Sequence, residues 1–281
     1  MMNTTNNQTI AKLQTNKTTK PIQKGDVFKS NEGVIWKVLE YINAKEVRVL
    51  SENGSERSVR AGDLRRGRVK CYMFPSVQGV GFLGCGEVKT GDSVTGKITK
   101  AYMAWQNMLE RCYSEQFHAR NLSYKDCEVA EEWQDFTKFK QWHDNQPYNY
   151  LQLDKDLLCY GNKLYSPDTC LFVSQRLNKL LVDSGKGKGI SWHKANKKYQ
   201  AVCSNGNGKS KSLGHFDSPL DALQAYQTFK LKVAVQVIRD ELTIGSITPE
   251  QANAIFLTTQ QHLTDKAQDV LEEHVEELIA A

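Results

Sequence analysis

No C-x-x-C pair occurs among the chain's seven cysteines, which argues against a zinc ribbon, and the odd count argues against a disulfide framework. The thiols are therefore expected to stay reduced and to pack as small hydrophobes, in keeping with a cytoplasmic protein. There is no run of about 18 apolar residues, which excludes a helical membrane span. The opening stretch to Pro21 is polar and rich in Asn and Thr. Without an apolar centre it is no secretory signal, and it is expected to be a disordered leader. Acidic residues are missing altogether from Gly185 to Phe216, where seven lysines occur. The reverse holds at the end, where Asp265 to Ala281 carries six acids and Lys266 as the one strong base. A basic middle and an acidic tail in a chain of net charge +5 suggest nucleic acid held on one face, with the tail turned away.

At 281 residues and 40% hydrophobic content, two or three small domains are expected rather than one. Residues 22–72 read as short strands. Val34, Trp36 and Val38 alternate with their neighbours, as do Val47 and Val49, and Asn53-Gly54 is a hairpin turn. The pattern resembles small barrels of the Tudor or KOW kind. Arg57, Arg60, Arg65, Arg66, Arg68 and Lys70 cluster where it ends, and Arg65, Arg66 and Arg68 are candidate phosphate contacts. Residues 73–98 form a glycine-rich linker. Its Gly79-x-Gly81-x-x-Gly84 has the form of a dinucleotide fingerprint, but no amphipathic helix follows and no βαβ unit surrounds it. Two amphipathic helices are predicted next, over Thr99 to Glu115 and Ala130 to Asp144. The second carries Trp133, Phe136, Phe139 and Trp142 at helical spacing, a core stripe rather than a ligand site.

The segment from Leu153 to Lys179 concentrates the chemistry. Asp154 and Asp156 flank Lys155, a Gly161-Asn162 turn follows, and Ser166-Pro167 leads through Leu171, Phe172 and Val173 into a polar-faced helical stretch carrying Asn178. The order is strand, turn, strand, helix. It resembles the ββα-metal core of HNH-type nucleases in the degenerate branch found in phage-encoded, homing-endonuclease-like proteins. Asp154-Lys155 stands for the family's Asp-His, Pro167 to Val173 for its Pro-Glu-Asn-Leu-Arg-Trp-Val, and Asn178 for its second metal ligand. The resemblance implies metal-dependent cleavage of DNA, with Mg²⁺ or another divalent cation held by Asp154 and Asn178. A carboxylate and an amide oxygen are hard ligands suited to Mg²⁺. Lys155 replaces the base histidine, and at neutral pH a lysine is a cation that cannot accept a proton. It is better placed to clamp a phosphate, with Asp156 assisting. Thr169 replaces the family's structural asparagine. Trp105 to Tyr113 and Cys127 to Trp133 also resemble segments preceding the core in such proteins, and His118 and His143 lie there as alternative bases.

From Gly187 to Lys232 the chain reads as three strands and a helix, with anchors Gly189-Ile190-Ser191-Trp192, Lys198-Tyr199-Gln200-Ala201 and Leu213-Gly214-His215-Phe216. It resembles the DNA-binding domain of plant ethylene-response factors, which lays its sheet in the major groove. If Tyr199, Ala201 and Cys203 face the helix, alternate residues face DNA. The candidate contacts are Lys188, Ser191, His193, Lys194, Lys197, Lys198, Gln200, Lys209 and Lys211, with Gln200 and His193 as base readers. The arginines and tryptophan that the plant family places on that face are absent.

The expected fold is α+β. It comprises a leader (1–21), a small N-terminal β-barrel (22–72), a linker (73–98), an HNH-like ββα domain with supporting helices (99–184), a three-stranded sheet plus helix (185–242) and a helical acidic tail (243–281). The expected partner is double-stranded DNA, with no membrane, and the C-terminal helix is a candidate surface for self-association or a protein partner. Two functions stay open: cleavage or nicking of DNA, weakened by Lys155 at the base position, or a catalytically inactive DNA-binding regulator. A third reading is an interaction protein that works through its acidic tail.

Overall fold

The computed structural model describes residues 20–84, 88–92, 95–146, 152–181 and 189–280, with side chains as far as Glu272. The expected leader therefore lies almost wholly outside the described residues, as does Lys188. The fold is mixed α+β and forms two compact units. One takes in the described residues up to Thr99 together with Gln134–Phe139, and the other takes in Lys100–Trp133 and the residues from Lys140 onward.

In the first unit, β1 (Val27–Lys29), β2 (Ile35–Asn43), β3 (Glu46–Ser51) and β4 (Glu56–Val59) form an antiparallel meander in that order, followed by the single-turn helix α1 (Ala61–Arg65). The expected barrel is corrected here, because β1 and β4 are not neighbours and the sheet stays open. Closure needs tilted, staggered edge strands long enough to pair, and these two edges have three and four residues. Trp36, Val38, Val47 and Val49 line one face and pack with Ala61, Leu64, Val69 and Cys71. The glycine-rich linker is pinned to the same unit. Phe82 bridges Asp135, and the Thr137 hydroxyl donates to the Leu83 carbonyl at 3.0 Å.

The second unit begins with α2 (Lys100–Tyr113), which buries Trp105, Met108, Leu109 and Cys112 at the 3–4 spacing of one helical face. Then come α3 (Glu115–His118), β5 (Glu128–Val129), α4 (Glu131–Gln134) and α5 (Phe136–Asp144), of which Gln134–Phe139 belong to the first unit. The Trp105 indole donates to the Trp133 carbonyl at 2.7 Å, and Trp142 stacks between Trp133 and Phe172. The next strands are β6 (Gln152–Asp154), β7 (Leu164–Tyr165) and β8 (Leu171–Val173), closed by α6 (Gln175–Asn178). β6 pairs antiparallel with β8, and β7 pairs parallel with β5.

A three-stranded sheet follows, β9 (Ile190–His193), β10 (Lys198–Ser204) and β11 (Ser210–Phe216), with β10 central. Ser218 caps α7 (Pro219–Thr243) through the Leu220 amide, with proline in its first turn. α8 (Pro249–Ala280) packs back along it. α7 serves two cores. Tyr226 packs with Cys203 of the sheet and Leu263 of α8, while Ala234, Val237 and Ile238 pack with Leu157, Leu171, Val173 and Leu177 of the β6–β8–α6 element. The segments expected as separate modules thus share apolar interior. No described helix is long and apolar enough to cross a membrane.

Candidate nucleic-acid interface and ββα site

Pairing across β9–β11 assigns the paired side chains to faces. Ala201 and Cys203 are buried against α7, so their cross-strand partners Ile190 and Lys211 lie on that side. The outer face carries Lys198 opposite His193, Gln200 between Ser191 and His215, and Val202 opposite Ser212. None of these strand residues is acidic. The His193 and His215 rings, from the two edge strands, meet edge-on with centroids 5.0 Å apart. His193 Nδ1 accepts the Asn196 amide hydrogen at 3.2 Å, which puts the ring's own proton on Nε2 and makes that atom a donor. Lys194 and Lys197 stand exposed in the β9–β10 turn, and Lys198 pairs with Asp217 at 3.1 Å.

Two expected contacts are placed elsewhere. Lys211 faces α7, with Nζ 5.0 Å from the centre of the Phe229 ring, because a bulge between Ala201 and Val202 shifts the register against β11. A one-residue slip transfers side chains to the opposite face. Lys209 sits in the β10–β11 turn, beyond the paired strands. His215 joins the outer face beside the expected contacts. Its signal was present, since Phe216 turns inward and the residue before it must turn out. In the first unit, Arg65 donates to the Lys20 carbonyl and Arg66 lies 3.7 Å from Asp63. Arg68 shares with Arg57, Arg60 and Lys70 a shallow depression of about 390 Å³.

In the ββα element, Asp154 ends β6 and its Oδ1 accepts the amide hydrogens of Asp156 and Leu157, both at 2.8 Å. Burial pushes its carboxyl above the usual range, against the pull of those two amides. Lys155 is 6% exposed, and its ammonium donates to Asp156 and to the Asn162 carbonyl at 2.6 Å each. The Asn162 side-chain amide returns a bond to the Lys155 carbonyl. Lys155 therefore closes the loop between β6 and β7 on itself. Asn178 donates to Gln152, which shares a strand face with Asp154 two residues on. Arg111 of α2 is opposed by burial, yet its bond to Tyr165 and the nearby Asp154 hold its guanidinium above its ordinary value. His118 bonds the Arg111 carbonyl at 2.8 Å, and His143 is buried edge-on to Phe172.

The bonds to Asp156, Leu157 and Gln152 use Asp154 Oδ1 and the Asn178 side-chain nitrogen. Among the described residues no group of three or more His, Cys, Asp or Glu converges on one point. No family model matches the chain, and no curated protein or solved structure matches it either.

Proposed function

We propose that this chain is a double-stranded DNA-binding protein that grips the duplex with the outer face of β9–β11. The observation that carries the reading is the outer face itself. Two turn lysines, Lys198, Gln200 and a touching pair of imidazoles stand together there with no carboxylate among the strand residues. A three-stranded sheet backed by a helix is narrow enough to lie in a major groove. The lysines would contact phosphate, giving salt-dependent and largely sequence-independent affinity. Gln200 can make a bidentate pair with adenine, and His193 Nε2–H can donate to a purine acceptor. Fluorescence anisotropy with a labelled duplex tests this. Gln200→Ala should flatten base preference by about 1–3 kcal/mol at one position. Lys194→Ala or Lys197→Ala should weaken all sequences alike and lower the salt slope by about 1. No retention of duplex at about 100 mM salt would refute it.

A second reading adds metal-dependent nicking at Asp154 and Asn178. It is favoured by the order β6, β8, α6, the strand–strand–helix arrangement of HNH-type nucleases, and by the bond from Asn178 to the Asp154-bearing strand. The cation would neutralise charge building on the phosphate. Lys155, spent on Asp156 and Asn162, supplies no base, so slow turnover is expected. Plasmid nicking with Mg²⁺ or Mn²⁺ decides it. Nicking that requires metal and falls at least about a hundredfold in Asp154→Asn supports the enzyme, and its absence in the unmodified protein leaves the binder.

A further inference from the structure

In the first unit, β4 is an edge strand that pairs only with β3. The chain turns through α1 and returns as the segment 68–72. That segment, β4 and the start of α1 line the depression of about 390 Å³. Arg57 ties its two sides together. The guanidinium donates to the Lys70 carbonyl at 2.7 Å and to the Tyr72 hydroxyl at 3.3 Å, and lies 4.3 Å from the centre of the Tyr72 ring. All three partners are neutral, so the charge is held in place without being cancelled. Arg60, Arg68 and Lys70 are exposed and form no ion pair with a described residue. The one carboxylate in the lining, Asp63, lies 3.7 Å from Arg66, which stands outside it. Four cations against one shared carboxylate focus a positive field over the depression.

We propose that this depression is a second duplex contact, in which Arg57, Arg60, Arg68 and Lys70 hold phosphates of the DNA backbone. Three of the four are arginines, whose planar forks match phosphate oxygens two at a time. Val59 and Val69 of the lining pack into the sheet's own core, and Tyr72 lies under Arg57. The lining therefore offers a protein partner no apolar anchor point of the kind that centres a protein interface. A shallow cationic surface suits backbone contact, which positions a duplex without reading its sequence. The inference rests on the chain being a duplex binder, yet it uses no residue of β9–β11.

The test measures the full chain against a labelled duplex by anisotropy across a salt series. Arg60→Ala/Arg68→Ala should weaken binding at least about tenfold at about 100 mM salt and lower the salt slope by about 2. Thermal unfolding and the Gln200-dependent base preference should stay unchanged. Arg60→Lys/Arg68→Lys keeps both charges and should keep most of the slope. Lys194→Ala/Lys197→Ala is the separate measure of the sheet face. If the arginine-to-alanine variant keeps the parent's affinity and slope while the sheet variant loses both, the inference is overturned and the sheet reading survives. The reverse pattern supports the inference and sinks the sheet reading. A labelled oligoglutamate peptide that binds the parent but not the arginine-to-alanine variant, with duplex binding equal in both, assigns the surface to an acidic protein and overturns the inference. No duplex binding by the parent overturns both.

Discussion

At the scale of single residues, close neighbours leave several side chains a single role. Gly189 has φ +82°, and a Cβ there would lie 2.1 Å from the buried Tyr226 ring. Gly189→Ala should therefore cost roughly 2–4 kcal/mol from backbone strain and overpacking, read as a lowered midpoint in urea. Lys155→Met should lower stability by about 1–3 kcal/mol, since the Asn162 carbonyl loses its charged donor. A variant as stable as the parent would place Lys155 outside the loop's support. Burial pushes the Cys112 and Cys170 thiols up to about 12, so the folded chain keeps protons that the unfolded chain releases from about pH 9. The sign is clear: the folded state binds more protons there, and stability falls as pH rises through that window. Among the described cysteines, thiol reagents at pH 8 followed by mass spectrometry should label the exposed Cys159 first and spare Cys112 and Cys170.

At the scale of elements, α6 has only four residues and depends on its neighbours. The Ser174 hydroxyl accepts the Leu177 amide hydrogen and donates to Glu241, a buried carboxylate that also receives Ser246. Ser174→Ala should cost about 1–3 kcal/mol. A double-mutant cycle with Glu241→Gln should return a coupling of about 1 kcal/mol, and strict additivity would contradict the shared bond. The sheet and the start of α7 were legible in the sequence because local signals mark them: alternation at Tyr199, Ala201 and Cys203, glycine turns, and Ser218-Pro219 at the helix start. The face of Lys211 was not legible. Strict alternation backward from Phe216 points it outward, and the bulge that reverses it leaves no mark in residue type. The partner of Ala234, Val237 and Ile238 was equally hidden, since helical spacing identifies an apolar face but not what covers it. The barrel expectation failed for a related reason, because strand count is readable and edge length is not.

At the scale of the whole molecule, the β6–β8–α6 element and the β9–β11 sheet are built on one long helix rather than strung as separate modules. α7, α8 and the turn between them contribute Ala234, Val237, Ile238, Ile247, Ala252 and Ile255 to the core that holds Leu157, Leu171, Val173 and Leu177. A fragment spanning residues 99–184 should therefore lack the dispersed amide signals that the full chain shows. The central claim is that the outer sheet face meets the duplex, and amide chemical shifts on titration with a 15-base-pair duplex test it most directly. The account predicts that Ser191, His193, Lys194, Lys197, Gln200 and His215 shift together at stoichiometric DNA, with Ala201 and Cys203 moving least. Shifts confined to other surfaces, or none at moderate salt, would contradict it.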